Sequence, residues 1–197
     1  MPLWFQGKIG FYKHLCDINI VKSRQRWYRR NQLFNHSINP ALVPWLFDAS
    51  SLTARMVALC GKRFSVRVIS QQWQLLDAEE ASAMELNNVH SALVRQVLLC
   101  CDDQPLIYAR TVIPTTTLRG ARRRYGNMGN RPLGAMLFAD RTMRREEVHV
   151  AVLSTSHEAN QYNMTGESVW GRRSVFRVSG KPLLVSEYFL PEFLNRR

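Results

Sequence analysis

The stretch WGRRSVFRVSGKPLLVSEYFLP, residues 170–191, decides the fold class. It contains two runs rich in Val, Leu and Phe, 172–178 and 183–190, which are typical of strands. Between them lies Ser179-Gly180-Lys181-Pro182, a sequence typical of a tight turn. These features predict a β-hairpin close to the end of the chain.

Working outward, SALVRQVLLCC (91–101) and PLIYARTVIP (105–114) predict a second hairpin around the turn 102–104. Alternation predicts two further strands, one from Phe64 to Val68 and one near 144–153. Helical spacing predicts one helix that begins at Pro40 and another within 131–140. A third predicted helix carries Leu52, Met56 and Leu59 on one face, is capped by Ser50 or Ser51 and ends at Gly61. Residues 77–88 form a loop or a short helix. Because the strands pair with sequence neighbours, we expect an α+β domain with a mostly antiparallel sheet and helices packed on it.

The composition limits the function classes. The chain has 197 residues, is 46% hydrophobic and carries a formal net charge of +12. This is typical of one globular domain and excludes a disordered or collagen-like chain. No run approaches the roughly 20 apolar residues of a membrane helix, and the N-terminus lacks a secretory signal. We therefore expect a cytoplasmic protein without membrane insertion.

Basic residues are concentrated in three segments. Residues 1–36 carry a net charge of +6, and arginines recur at 119–124 and 141–145. Such clusters suit either a nucleic-acid footprint or a solvated surface that attracts small anions. No nucleic-acid-binding motif accompanies the charge, so we favour the second interpretation and expect no nucleic-acid partner. The predicted organisation is a basic N-terminal extension over 1–30, disordered or a start-site artefact in its first part, and one catalytic domain over 31–197.

Cofactor motifs are missing from the sequence. The five histidines are dispersed, no CxxC occurs, and no glycine-rich phosphate loop follows a strand. Cys100 and Cys101 are adjacent, so in a strand they point to opposite faces and chelate poorly. We expect four free, mostly buried thiols and neither a metal nor an organic cofactor.

Two charged residues interrupt apolar strand faces. Arg95 shares its face with Leu93, Val97 and Leu99, and Glu187 shares its face with Leu183, Val185 and Phe189. A buried unpaired charge would cost several kcal/mol, so each residue needs a partner. Either the two pair with each other or with other core polar groups, or they line a ligand cavity. In a cavity, the guanidinium suits a carboxylate and the Glu187 carboxylate can accept from a hydroxyl.

Five collinear blocks between about Asn31 and Pro191 resemble the bacterial chorismate lyase family. They are SLTARM (51–56), LVRQVLLC (93–100), ARTVIPTTTL (109–118), NRPLGAMLF (130–138) and the stretch 170–191. The resemblance implies conversion of chorismate to 4-hydroxybenzoate and pyruvate, the first committed step toward ubiquinone, without a cofactor. It also implies a monomer with a single α+β domain and a buried site under two flaps.

The resemblance further implies roles for individual residues. Arg95 matches an arginine that binds the aromatic carboxylate, and Glu187 matches a glutamate that binds the ring hydroxyl and assists catalysis. Leu133 and Leu52 match residues whose backbone contributes to the carboxylate site, although another family member has Met where this chain has Leu52. Residues around 50–56 and 131–138 would form the flaps. A second basic group should bind the enolpyruvyl carboxylate, and the candidates are Arg172 or Arg173, and Lys181.

Two rival functions are weighed against the enzyme. Regulator domains that resemble this lyase sense small aromatic ligands without catalysis and follow a DNA-binding domain. The roughly 30–40 residues upstream are shorter than the about 60 that such a module needs, and both Arg95 and Glu187 are retained, so we favour the enzyme. Nucleic-acid binding through the basic N-terminus ranks third.

Overall fold

The computed structural model describes residues 26–33, 37–87, 91–129, 131–153 and 169–195. Within them, one antiparallel sheet is covered by short helices. The strands are β1 (Phe64–Leu75), β2 (Ser91–Cys101), β3 (Gln104–Pro114), β4 (Arg144–Arg145), β5 (His149–Leu153), β6 (Val169–Val178) and β7 (Lys181–Phe189). The α-helices are α1 (Val43–Leu46), α2 (Leu52–Cys60), α3 (Ala78–Ala83), α4 (Leu133–Phe138) and α5 (Pro191–Leu194). Short 3-10 helices cover Arg30–Gln32, Gly61–Arg63 and Gly120–Tyr125. The predicted α+β domain with an antiparallel sheet is confirmed.

The strand order is β1-β2-β3-β7-β6-β4. β5 also pairs with β6, along a part of β6 that precedes the part paired with β4. Both predicted hairpins form, with tighter turns than the sequence suggested, because Gln104 already pairs with Cys101 and Lys181 with Val178. Each turn has two residues with positive φ, Asp102 and Asp103 in one, Ser179 and Gly180 in the other. Such turns match the right-handed twist of the flanking strands.

The two faces of the sheet pack against different helices. On one face, which we call the cavity face, every second residue of β2 from Leu93 to Cys101 points toward α1, α2 and α4. The opposite face packs against α3, where Arg110 of β3 forms a buried ion pair with Glu80 at 2.8 Å. Both faces of the central strands are therefore buried, which explains why β2 and β3 are almost continuously apolar.

Helix α2 closes the cavity face and begins with a side-chain cap. Ser51 Oγ accepts a hydrogen bond of 3.2 Å from the Ala54 amide, and Gly61 ends the helix with φ 58°. Leu52 and Met56, which share the predicted face, are buried. Leu59, the third residue of that face, is 44% exposed, and Cys60 occupies the buried position of the last turn.

The strand predicted near 144–153 is split. β4 pairs with Phe176 and Arg177 of β6, and β5 pairs with the earlier part of β6. Residues 146–148 between them belong to neither strand, although the Glu146 amide still donates to the Val175 carbonyl of β6 over 2.9 Å. The Glu146 side chain forms an ion pair with Arg177. The two acidic residues at 146 and 147 are exposed, which favours a break at this point.

The expectation of free thiols is wrong for two cysteines. Cys60 at the end of α2 and Cys101 at the end of β2 form a disulfide, with Cα atoms 5.7 Å apart. Cys100 is a free, buried thiol on the opposite face, and burial raises its pKa. Because strand residues alternate between faces, Cys101 points toward α2 and Cys100 does not. The sequence could not predict that α2 would lie next to Cys101. Cys16 lies outside the described residues.

The predicted extension is partly described. Tyr28 pairs with Val150 of β5 through backbone hydrogen bonds of 2.8 and 2.9 Å, so residues near 28 pack on the domain. The interpretation of residues 1–24 lies outside the described residues, and the boundary between 30 and 31 stays a prediction. Among the helices described here, none is long and apolar enough to span a membrane.

Candidate active site

A cavity lies between the cavity face of the sheet and two covering segments, which we call the flaps: α2 with residues 50–51, and α4 with residues 131–132. Its floor comes from β2, β3, β6 and β7, with Val97, Ala109 and Val185 as apolar lining. The charged side chains in its wall are Arg95, Arg131, Arg145, Arg172 and Glu187. A mostly apolar cavity with a few convergent charges is typical of a small-molecule site.

Arg95 enters the cavity from β2 and is 3% exposed. Its Nη1 donates to Gln71 Oε1 over 2.8 Å, and Gln71 Nε2 donates to the Gly126 carbonyl over 2.7 Å. Nη2 is buried and has no hydrogen-bond partner within the described residues. Burial lowers the pKa of Arg95. An unpartnered buried guanidinium nitrogen suits an anionic ligand group.

Glu187 enters the same cavity from β7 and pairs with a different arginine. It faces Arg172 across the β6–β7 ladder, and Arg172 Nε donates to Glu187 Oε2 over 2.7 Å. Arg172 Nη1 also donates to the carbonyls of Trp45 at 2.7 Å and Asp48 at 2.9 Å. Of the alternatives left open by the sequence, Arg95 and Glu187 do not pair with each other; each has its own polar partner and both line the cavity.

The sheet register sets the separation of the two groups. Arg95 is level with Thr111 and Val185, whereas Glu187 lies two residues farther along β7. Two strand spacings and two residue rises place their Cα atoms about 12 Å apart. Both side chains line the cavity, so a guanidinium and a carboxylate enter it from different strands.

Arg145 is a cavity residue that sequence reasoning did not single out. It extends from β4, and its Nε donates to Ser174 Oγ at 3.0 Å while Nη1 donates to the carbonyls of Asp48 and Ser50 at 3.1 and 3.3 Å. Burial, with a contribution from the Arg172 cation, lowers its pKa to about 10. Its place in the arginine cluster 141–145, at the start of a predicted strand, was the sequence signal that could have identified it.

The flaps contact each other at Gly134. A Cβ there would lie 2.7 Å from Thr53 Oγ1 and 3.3 Å from Ser51 Oγ. Leu52 and Leu133 occupy the first position of α2 and α4, where a backbone N–H has no acceptor within its own helix. Both residues line the cavity, as the resemblance implied for the carboxylate site.

Arg173 and Lys181 do not line the cavity, so their predicted role toward the second carboxylate needs correction. Arg173 follows Arg172 in β6 and therefore points to the opposite face, where it pairs with Glu79 and lies 4.4 Å from the centre of the Trp27 ring. Lys181 is exposed beside the β6–β7 turn. Arg172, the other candidate, does line the cavity.

The described residues contain no group of three or more His, Cys, Asp or Glu that could hold a metal ion. His149 of β5 is half-buried, and burial together with the Arg173 cation lowers its pKa. It is not part of the cavity wall.

Comparison with known proteins now adds to this geometry. The sequence profile of the chorismate lyase family matches residues 21–197. The chain belongs to the chorismate lyase family. A relative from Methylococcus capsulatus, described as a probable chorismate pyruvate-lyase, is 43% identical over 154 residues, 77% of this chain and 95% of the relative. A relative of the same description from Pseudomonas aeruginosa is 34% identical over 176 residues, 89% of this chain and 97% of the relative.

Solved structures show the breadth of the fold. A gene product of Staphylococcus aureus superposes with a TM-score of 0.52 at 16% identity, covering 74% of this chain and 91% of that one. A GntR-family transcriptional regulator from Bacillus cereus gives a TM-score of 0.50 at 14% identity, covering 66% and 94%. This member of the chorismate lyase family thus shares its fold with a transcriptional regulator.

Proposed function

We propose that the protein converts chorismate to 4-hydroxybenzoate and pyruvate, the first committed step toward ubiquinone, and that it needs no metal or organic cofactor. The observation that carries this proposal is the placement of Arg95 and Glu187 in one flap-covered cavity of a chorismate lyase family member, each with its own supporting partner. We also propose that the protein is a monomer, as the resemblance implies, and that it is cytoplasmic.

The reaction is an elimination that makes the ring aromatic. The bond between the ring and the ether oxygen breaks, and the neighbouring hydroxyl-bearing carbon loses its hydrogen as a proton. The released enolpyruvate takes up a proton on carbon and becomes pyruvate, so the atoms of chorismate are divided between the two products. Aromatisation drives the step, so the protein mainly orients the substrate, excludes water and stabilises charge.

Each polar group has a role in this proposal. Arg95 binds the ring carboxylate with its unpartnered Nη2, together with the first backbone amides of α2 and α4, those of Leu52 and Leu133. Glu187, about 12 Å away by Cα, accepts a hydrogen bond from the ring hydroxyl and assists proton movement. Arg172 holds Glu187 in place.

The experiment is incubation of the purified protein with chorismate in EDTA, with chromatography of both products. Equimolar 4-hydroxybenzoate and pyruvate support the proposal, and Arg95→Gln should then raise KM by about tenfold or more. Arg67→Gln, which removes an exposed arginine of β1, is the matched control.

The alternative is a non-catalytic sensor, which the fold shared with a transcriptional regulator favours. Binding of 4-hydroxybenzoate without turnover of chorismate would support the sensor and contradict the enzyme.

A further inference from the structure

The cavity carries more positive charge than its own acidic group balances. Of its four lining arginines, Arg172 is paired with Glu187, and Arg131 is exposed at the rim and donates to the carbonyls of Asn127 and Met128. Arg95 and Arg145 remain, and neither forms an ion pair with a carboxylate in the described part of the chain. Chorismate has two carboxylates, so its charges match these two cations in number.

Arg145 is held rigidly, with one nitrogen left over. Nε and Nη1 are occupied by Ser174 and by two backbone carbonyls of residues 48 and 50, and the guanidinium carbon lies 5.2 Å from the centre of the Phe176 ring. Nη2 has no hydrogen bond to any described residue. The nearby Asp48 carboxylate is already engaged, because it accepts from Arg55 at 2.8 Å and from the Ser50 amide and hydroxyl at 2.7 Å.

The location of Arg145 fixes which end of the substrate it faces. Arg145 and Arg172 both donate to the Asp48 carbonyl, at 3.1 and 2.9 Å, so their guanidinium groups are neighbours. Arg172 in turn holds Glu187. Arg145 therefore lies at the Glu187 end of the cavity, away from Arg95. In chorismate the enolpyruvyl ether is on the ring carbon next to the hydroxyl, so its carboxylate must lie at that same end.

We propose that Arg145 binds the enolpyruvyl carboxylate through Nη2, while Arg172 serves to hold Glu187. This inference rests on the proposed function. It makes Arg145 a residue that distinguishes substrate from product, because 4-hydroxybenzoate has lost the group that Arg145 binds. After bond cleavage, pyruvate is the product that Arg145 retains.

The test compares Arg145→Gln and Arg145→Lys with Arg144→Gln, the exposed neighbour in the same strand, which donates only to the Met143 carbonyl. Three quantities are measured for each folded variant: KM for chorismate, Kd for 4-hydroxybenzoate, and competitive inhibition by pyruvate. Arg145→Gln should raise KM by about tenfold or more and weaken pyruvate inhibition, while Kd for 4-hydroxybenzoate changes by less than about threefold. Arg145→Lys, which keeps the charge, should be intermediate, and Arg144→Gln should match the wild type.

Equal weakening of chorismate and 4-hydroxybenzoate would overturn the proposal, since it would mean that Arg145 only supports the flap carbonyls. Unchanged KM and unchanged pyruvate inhibition would overturn it as well. If the wild type binds chorismate without turnover, the proposed function fails, and the same comparison made on chorismate Kd still tests Arg145. If Arg145→Gln does not fold, KM for chorismate and inhibition by pyruvate are measured for Arg145→Lys instead, and unchanged values of both would overturn the proposal.

Discussion

Arg172 and Glu187 face each other on neighbouring strands, with Arg172 Nε 2.7 Å from Glu187 Oε2. The arginine is almost completely buried, and its Nη1 also binds the carbonyls of Trp45 and Asp48 in the segment that leads into α2. One buried cation therefore fixes both the Glu187 carboxylate in the cavity and the approach to a flap.

Both members of this pair are predicted to matter for stability as well as for activity. Glu187→Gln should lower kcat by about 100-fold or more, because it removes a proton acceptor but keeps the shape, and it should also lower stability, because the buried Arg172 cation loses its carboxylate. Arg172→Gln should also cost about 3–5 kcal/mol of unfolding free energy, because it leaves a buried carboxylate without its cation. Urea unfolding and steady-state kinetics measure both. Arg173→Gln, the adjacent arginine outside the cavity, is the control, and an equal loss of stability there would contradict the prediction.

Gln71 is predicted to position Arg95. It accepts from Arg95 and donates to the Gly126 carbonyl, so it connects the guanidinium to the end of the 3-10 helix Gly120–Tyr125. Gln71→Ala should raise KM for chorismate and Kd for 4-hydroxybenzoate by about three- to tenfold and leave kcat nearly unchanged. Gln71→Glu should restore part of the affinity, because a carboxylate still accepts from Arg95. The exposed neighbour Gln72 supplies the control, Gln72→Ala; a Gln71→Ala variant that behaves like it would rule out positioning.

Gly134 tests the contact between the flaps. Within a helix, Gly→Ala ordinarily stabilises by about 1 kcal/mol. Here the new methyl group would meet Thr53 Oγ1 at 2.7 Å, and such overpacking costs about 1–3 kcal/mol. Gly134→Ala should therefore separate the flaps and raise the dissociation rate of 4-hydroxybenzoate, measured by stopped-flow fluorescence. Adding Thr53→Ala should reverse part of the change. Slower dissociation in the single variant would show that the flaps accommodate the methyl group.

The disulfide between Cys60 and Cys101 fixes the end of α2 to β2. Cys60→Ser should lower the unfolding free energy by about 2–4 kcal/mol under oxidising conditions, because the crosslink restricts the unfolded chain. Dithiothreitol should remove most of that difference, as expected in a reducing compartment. Thiol titration of the denatured protein before and after reduction counts the bonded cysteines. An equal count in both samples would mean that the two thiols are free.

Asp140 predicts a pH dependence of stability. Hydrogen bonds from Tyr125, at 2.7 Å, and from Thr142 hold the pKa of this carboxyl well below its ordinary value. Because the folded pKa is lower than the unfolded pKa, the stabilisation is present above about pH 4 and is lost as the pH falls. Asp140→Asn should lower the unfolding free energy at pH 7 by about 1–3 kcal/mol, and its difference from the wild type should shrink steadily as the pH falls below about 4. A constant difference between the two proteins across this range would contradict the linkage.

The sequence by itself determined the two hairpins and which residues share their faces. Alternation along 91–101 and 183–190 placed Arg95 and Glu187 on apolar strand faces, because neighbouring strand residues point in opposite directions whatever the strand pairs with. The family resemblance then related those two residues to one ligand. A cap at Ser50 or Ser51 and a stop at Gly61 marked the ends of a flap helix, and the structure uses Ser51.

Only the tertiary structure decided the partners. Arg145 binds the carbonyl of a residue 97 positions away, and Arg172 binds Asp48 across 124 positions, so no local pattern distinguished them from Arg173 or Lys181. The Cys60–Cys101 disulfide spans 41 positions and depends on how α2 crosses the end of β2. Side-chain periodicity is a property of the local backbone, whereas the pairing of charges and thiols requires the sheet register and the packing of the flaps, which form together only on folding.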